Sequence, residues 1–258
     1  MVYETLLFKK KDKIATVILN RPDQLNALDM VMRKELQSVL TEITNDKTIR
    51  VLILTGAGKA FCAGGDIKVM SSHKAPAGRD RIKFSQQFIR LLLDMEKPVI
   101  AAVNGFAVGA GFSIALAADI IIASENAKFR ESFVNIGLIP DLGAFYTLPL
   151  RVGIPRAKEL MLTGRVIDAK EAESMGLVSR VVAQDKLIAE TESLAAILAD
   201  GPPRIHAMIK STLNLGPMNS TAYLELEANM QSIAFETDDY AEGIRAFLER
   251  RKPVFTGE

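Results

Sequence analysis

Three runs most constrain what this chain can fold into: VLILTG (51–56), PVIAAVNG (98–105) and IIIAS (120–124). Each is continuously apolar and rich in β-branched residues, and the first two close on glycine. A strand that is apolar on both faces must be covered on both, which is the situation inside a parallel sheet. Helical patterns lie between the runs. Leu36, Val39, Leu40 and Ile43 fall at i, i+3, i+4 and i+7, and Phe88, Leu91, Leu92 and Met95 repeat that spacing. KIATVILN (13–20) alternates as a half-buried strand does, and GFSIALAAD (111–119) reads as an apolar helix. Strands alternating with helices predict an α/β core around a largely parallel sheet.

The character changes after about residue 150. DAKEAESMGLV (168–178) predicts a helix with Asp168 as its N-cap and Gly176 just past its end, followed by a short strand in VSRVV. From residue 186 nearly everything is helical, broken at DGPPR (200–204) and LGPMNS (215–220), with Leu226, Met230 and Ile233 as an apolar stripe. The expected organisation is an α/β core over 1–190 and a C-terminal helical region over 191–258. That region either folds over the core as a lid or packs on a neighbouring subunit.

Charge and composition exclude several functions. The net charge is +1, with Lys and Arg scattered, so no basic patch calls for nucleic acid or an anionic membrane. Cys62 is the single cysteine, which rules out an internal disulfide and fits a reducing, cytoplasmic compartment. It reads as a small packed residue, since no motif supplies it with a base. The opening MVYETLLFKKKDK lacks the basic start and apolar core of a signal peptide, and no run reaches the ~18 apolar residues of a membrane span. His73 and His206 have no partners at metal-ligand spacing, so neither a metal nor another cofactor is expected.

Chemistry is foreshadowed by two glycine-rich turns, GKAFCAGGDIK (58–68) and VNGFAVGAGFSIALAAD (103–119). Small residues let a ligand approach the backbone, and free N–H groups at a turn or helix start point into that space. Two such turns facing each other could hold a developing carbonyl oxyanion. The turns belong to an ordered series: NRPDQLNAL (20–28), AFCAGGDIK (60–68), AAVNGFAVGAG (101–111), ADIIIASENAKF (118–129), GLIP (137–140), TGRVIDAKEAESMGLVSRVV (163–182) and FLERRKPVFTG (247–257). The series spans essentially the whole chain and resembles the crotonase superfamily, the enoyl-CoA hydratases and isomerases.

The resemblance implies a spiral of ββα turns with a C-terminal helical region, trimers that pair into hexamers, and an acyl-CoA thioester as substrate. It places the two oxyanion N–H donors on Gly65 and Ala110, and the CoA moiety near Arg21, Ala63, Asp66 and Ile67. It carries Lys252 toward the CoA phosphates, a solvated terminal charge being the alternative reading. The hydratases place two glutamates at the positions of Ser113 and Phe133, and neither of these side chains can act as an acid or base. Glu131 reads as a solvated charge, with a substitute acid as the weaker alternative, and Asp119 and Asp66 read as structural.

What remains is Asp141 in NIGLIPDLGAF, which an ordinary turn role would also explain. Its position after GLIP resembles that of the single acid of the enoyl-CoA isomerases. An apolar wall of Ile136, Leu138, Ile139 and Phe145 would raise its pKa toward a working range. The favoured expectation is an isomerase with Asp141 as acid and base. The alternatives are an enoyl-CoA hydratase, another crotonase chemistry such as decarboxylation, and a non-catalytic acyl-CoA-binding or RNA-binding member.

Overall fold

A computed structural model describes residues 3–66 and 77–258. The apolar runs form the centre of a six-stranded sheet. In chain order its strands are β1 (Leu6–Lys11), β2 (Ile14–Leu19), β3 (Val51–Gly56), β5 (Val99–Val103), β7 (Ile120–Ser124) and β10 (Arg180–Val182), and they are neighbours in that order. All its pairings are parallel except β1 with β2. A second sheet joins β4 (Ala60–Cys62), β6 (Phe106–Val108), β8 (Lys128–Arg130) and β9 (Val166–Asp168).

The two sheets are traversed together. β3 steps to β4, β5 to β6 and β7 to β8, so each turn lays one long strand in the large sheet and one short strand in the small one. A helix or 3-10 turn then returns the chain: α2 (Ala77–Asp94), α3 (Ala110–Leu116), and the 3-10 turn Ser132–Ile136 leading to α4 (Ala144–Thr163). This is the ββα spiral the motif series implies. The steps are tight. A Cβ on Gly56 would stand 2.2 Å from the Ala60 carbonyl oxygen, and one on Gly105 would stand 2.0 Å from that of Lys59.

The helix α1 (Met30–Asn45) buries Met32, Leu36, Val39, Leu40 and Ile43, and Asp29 caps it by accepting from the Met32 N–H at 2.8 Å. The loop before it is held by Asn26, whose amide nitrogen donates to the carbonyls of Ala57 and Ala60. The NRPDQLNAL stretch therefore has a structural role here.

On the other face of the large sheet, Val51, Ile53, Ile100, Ala102 and Ile122 pack against Leu187, Ala195 and Ala199 of a long helix. Between it and α4 lies α5 (Ala169–Ser174), with Asp168 as its cap, accepting from the Glu171 N–H. The long helix is α6 (Leu187–Asp200), and the expected boundary at 190/191 falls inside it. Three helices follow: α7 (Pro203–Asn214), α8 (Ser220–Phe235) and α9 (Asp238–Leu248). α7 docks through Lys210, which donates to the Leu92 carbonyl at 3.0 Å and pairs with Asp119 at 2.9 Å. α8 buries no residue in the single chain.

Candidate active site

In a parallel sheet, ligands bind beyond the carboxyl ends of the strands. The turns after β3–β4 and β5–β6 occupy that edge. Leu28 pairs with Gly65: its N–H donates to the Gly64 carbonyl at 2.8 Å, and its own carbonyl accepts from the Asp66 N–H at 3.1 Å. Those bonds face Leu28, so the Gly65 N–H is directed to the opposite side of this extended pair. Gly64 has φ +95°, and a Cβ there would meet the Val108 carbonyl oxygen at 2.7 Å and the Ala110 nitrogen at 3.5 Å. The two glycine-rich turns are thus stacked in contact. Gly109, at φ +52°, precedes α3, and Ala110 opens it. The first N–H groups of a helix have no acceptor within it.

Of the residues expected to meet CoA, the structure joins Arg21 and Asp66. The Arg21 guanidinium lies 3.4 Å from carboxylate oxygens of both Asp66 and Asp29 and donates to the Ala27 carbonyl at 2.6 Å. Ala63 sits beside them, its N–H donating to the Leu25 carbonyl at 2.9 Å. Ile67, like a helix that Asp66 would cap, lies outside the described residues. Lys252 is exposed in the C-terminal tail. Farther along, the carbonyls of Phe255 and Thr256 accept from Arg50, at the start of β3. The tail is therefore anchored at the opposite edge of the sheet from the glycine-rich turns.

Ser113 is buried in α3, its hydroxyl donating to the Gly109 carbonyl at 3.3 Å. Phe133 is buried with its ring against Gly109. Asp141 lies between the 3-10 turn and α4. Its backbone carbonyl accepts from the Ala144 N–H, as a turn residue's would, but its side chain does not cap α4, and its Oδ1 is buried without a hydrogen-bond partner. Burial raises this carboxyl to about 6, against the pull of the Arg33 and Arg81 guanidinium groups.

Two expectations about the surroundings of Asp141 are corrected. Ile136, Leu138, Ile139 and Phe145 do not wall it; all four are exposed. The chain reverses through left-handed Gly137, Leu142 and Gly143, which turns that apolar set outward. The charges near Asp141 come instead from Arg33 on α1 and Arg81 on α2. Glu131 is not solvated: it is 1% exposed, and neither of its carboxylate oxygens has a hydrogen-bond partner among the described residues. Burial, reinforced by the Asp141 charge, raises it to about 8. The misread Glu131 and the unread Arg33 each had a visible signal. Glu131 follows the buried Phe129 by two residues, just past the end of β8, and Arg33 precedes Leu36 and Leu40 by three and seven on the apolar stripe of α1.

Arg33 is buried, donates to Ser85, and lies within electrostatic reach of Asp141, Arg81, Cys62 and Asp29. It links the Asp141 region to the strand that leads into the Gly65 turn. Burial pushes the Cys62 thiol up to about 12, so it is an inert packed group. His206 is half-buried against Gly201, and burial lowers its pKa. Among the described residues no cluster of His, Cys, Asp and Glu could hold a metal ion, and no helix is long and apolar enough to cross a membrane.

Comparison with known proteins agrees with this geometry. The family model described as enoyl-CoA hydratase/isomerase matches residues 9–258. A crotonyl-CoA hydratase of Syntrophomonas wolfei is 39% identical over 258 residues, covering 99% of each chain. A 1,2-epoxyphenylacetyl-CoA isomerase of Escherichia coli is 39% identical over 260 residues, again covering 99% of each. The crystal structure of an enoyl-CoA hydratase from Bacillus anthracis superimposes with a TM-score of 0.95 at 34% identity, covering 99% of this chain and all of that one. A two-sheet spiral with stacked glycine-rich turns is thus the fold of an enoyl-CoA hydratase/isomerase-type enzyme. The chain belongs to the enoyl-CoA hydratase/isomerase family, the crotonase superfamily.

Proposed function

We propose that this enzyme is an enoyl-CoA isomerase, with Asp141 as its acid and base and the backbone N–H groups of Gly65 and Ala110 as its oxyanion donors. The observation that carries the reading is Asp141 itself, a carboxyl with a buried, unpartnered Oδ1 that desolvation raises to about 6. Ser113 and Phe133 stand where the hydratases keep their glutamates.

In the proposed reaction a 3-enoyl-CoA binds with its thioester oxygen between the two N–H groups. The Asp141 carboxylate takes a proton from C2, and the electron pair of that C–H bond flows toward the carbonyl, giving an enolate the two donors stabilise. The enolate collapses as its C3–C4 double bond takes the proton at C4, leaving the double bond between C2 and C3. The Arg21–Asp66 pair, with Ala63 and Ile67, would receive the CoA moiety. Lys252 would act on the CoA phosphates only from the tail, which within one chain is held at the opposite edge of the sheet.

Support for assembly comes from α8, which buries nothing in the single chain. With α7 it forms a groove lined by Ile205, Met208, Ile209, Leu213, Leu224 and Met230. We read this surface as a contact between copies, in a trimer or a hexamer of paired trimers.

Hydration of a 2-enoyl-CoA is the second reading, favoured by the S. wolfei relative and by the burial of a second carboxyl, Glu131, within electrostatic reach of Asp141. Product analysis separates the two. The isomerase reading expects 3-enoyl-CoA to give 2-enoyl-CoA faster than 2-enoyl-CoA gives 3-hydroxyacyl-CoA. The reverse ranking would establish the hydratase.

A further inference from the structure

Glu131 is unusual among the buried groups of this chain. It stands between β8 and the 3-10 turn Ser132–Ile136, buried at 1% exposure, and the next two residues, Ser132 and Phe133, lie against Gly109 at the mouth of the second glycine-rich turn. Among the described residues no hydrogen bond satisfies either of its oxygens, and Asp141 also has a buried oxygen without a partner there. A buried carboxylate with neither a donor nor a cation is too costly to be a packing device. A buried carboxyl that keeps its proton costs far less.

The charges that face the two groups decide which of them ionises. Asp141 is met by Arg33 from α1 and by Arg81 from α2. Arg81 has a buried Nε of its own without a partner, and Arg33 also senses Cys62 and Asp29. Glu131 is met by Asp141 and by no cation recorded among the described residues, since the neighbouring Arg130 is turned away to donate to the Gly164 carbonyl.

We propose that Glu131 and Asp141 work as one carboxyl pair carrying a single negative charge, with Asp141 the member that ionises and Glu131 the member that keeps its proton. Glu131 acts through Asp141, as a positioning residue. While it is neutral, the charge of the pair stays on the base. Once it ionises, two like charges share a buried site and the arrangement fails. The inference deepens the isomerase reading and rests on it for its catalytic consequence. The sharing of one charge does not depend on which acyl-CoA reaction is run.

The consequence for turnover is a bell-shaped pH profile. Its acid limb is the ionisation of Asp141 at about 6 and its alkaline limb that of Glu131 at about 8. Infrared difference titration of the intact enzyme, wild type against Glu131→Gln and Asp141→Asn, tests the pair without an activity assay. The wild type should keep a protonated-carboxyl carbonyl band at neutral pH. That band should be absent from Glu131→Gln, and in Asp141→Asn it should titrate at lower pH, because the charge that raises it is gone. Absence of the band from the wild type, its persistence in Glu131→Gln, or an unchanged titration in Asp141→Asn would each overturn the pair. Glu131→Met, which fills the same space without a dipole, replaces Glu131→Gln if the amide variant does not fold.

Kinetics form the second arm. With 3-enoyl-CoA, Glu131→Gln should retain the acid limb and lose the alkaline one, its maximal rate falling by less than about tenfold. An unchanged alkaline limb contradicts the inference. A wild type that forms the infrared band but does not isomerise 3-enoyl-CoA contradicts the isomerase reading and leaves the pair standing.

Discussion

A Cβ on Gly111 would stand 2.1 Å from the carbonyl oxygen of Cys62, so the first turn of α3 rests directly on the strand that leads into Gly65. The two backbones that carry the candidate oxyanion donors are held in register by that contact, which only glycine permits.

Gly111→Ala is therefore expected to push α3 off β4. The overlap is with backbone, which cannot rotate away, so the loss should exceed about 2 kcal/mol and lower Tm by at least about 5 °C. Thermal unfolding with a parallel activity assay checks it. A variant with unchanged Tm and activity would show that the turns are not coupled in this way.

The C-terminal helices are tied to the core by the pair of Lys210 and Asp119, 2.9 Å apart. Burial raises the Asp119 carboxyl, while the Lys210 charge, its carboxylate bonds and Arg151 hold it down. Lys210→Met leaves the partly buried Asp119 carboxylate with only the Val99 N–H and the Arg151 charge, and should cost about 1–3 kcal/mol. Adding Asp119→Asn should recover part of that loss. Denaturant titration of the two single variants and the double closes the cycle, and simple additivity would contradict the coupling.

How much of this was legible in the sequence depends on the range of the interaction that decides it. β3, β5, β7, α1 and the Asp168 cap follow from local pattern, and all appear in the structure. The pairing of Leu6–Lys11 with β2 was not foreseen, because its outer residues are charged and its partner supplies the register. The second sheet is built from strands of three residues, too short to show a period, and is defined by contact between successive turns of the spiral. At the site, Asp141 stood out because its neighbours are apolar. Glu131 and Arg33 did not, because a charge on an inward position is visible only once the inward face is known.

Stability should fall as pH rises from about 4 to about 8, through the raised carboxyls Asp141 and Glu131. Asp141 goes from 3.8 to about 6 and Glu131 from 4.5 to about 8. Each is protonated in the fold where the unfolded chain has already lost its proton. The stability that Glu131 contributes is therefore complete below about 4.5 and lost as pH rises through about 8. The depressed carboxyls Asp46, Glu159, Asp168 and Glu242 act in the opposite sense, but their contribution is already complete at neutral pH. Tm measured from about pH 4.5 to about pH 8.5 should drop less for Glu131→Gln than for wild type. Parallel curves would contradict it.

The apolar groove on α7 and α8 predicts self-association. Leu213 and Leu224 are both largely exposed in the single chain. Light scattering after size exclusion should give three or six times the chain mass, and Leu213→Glu with Leu224→Glu should shift it to smaller species. A monomeric wild type would contradict the reading.

The most direct test of the central claim is the rate of 3-enoyl-CoA isomerisation by Asp141→Asn against wild type. The substitution keeps the shape of the side chain and removes the carboxyl. The account predicts a fall of at least about a thousandfold, the scale of a lost acid–base group. A variant that isomerises within about tenfold of wild type would contradict it.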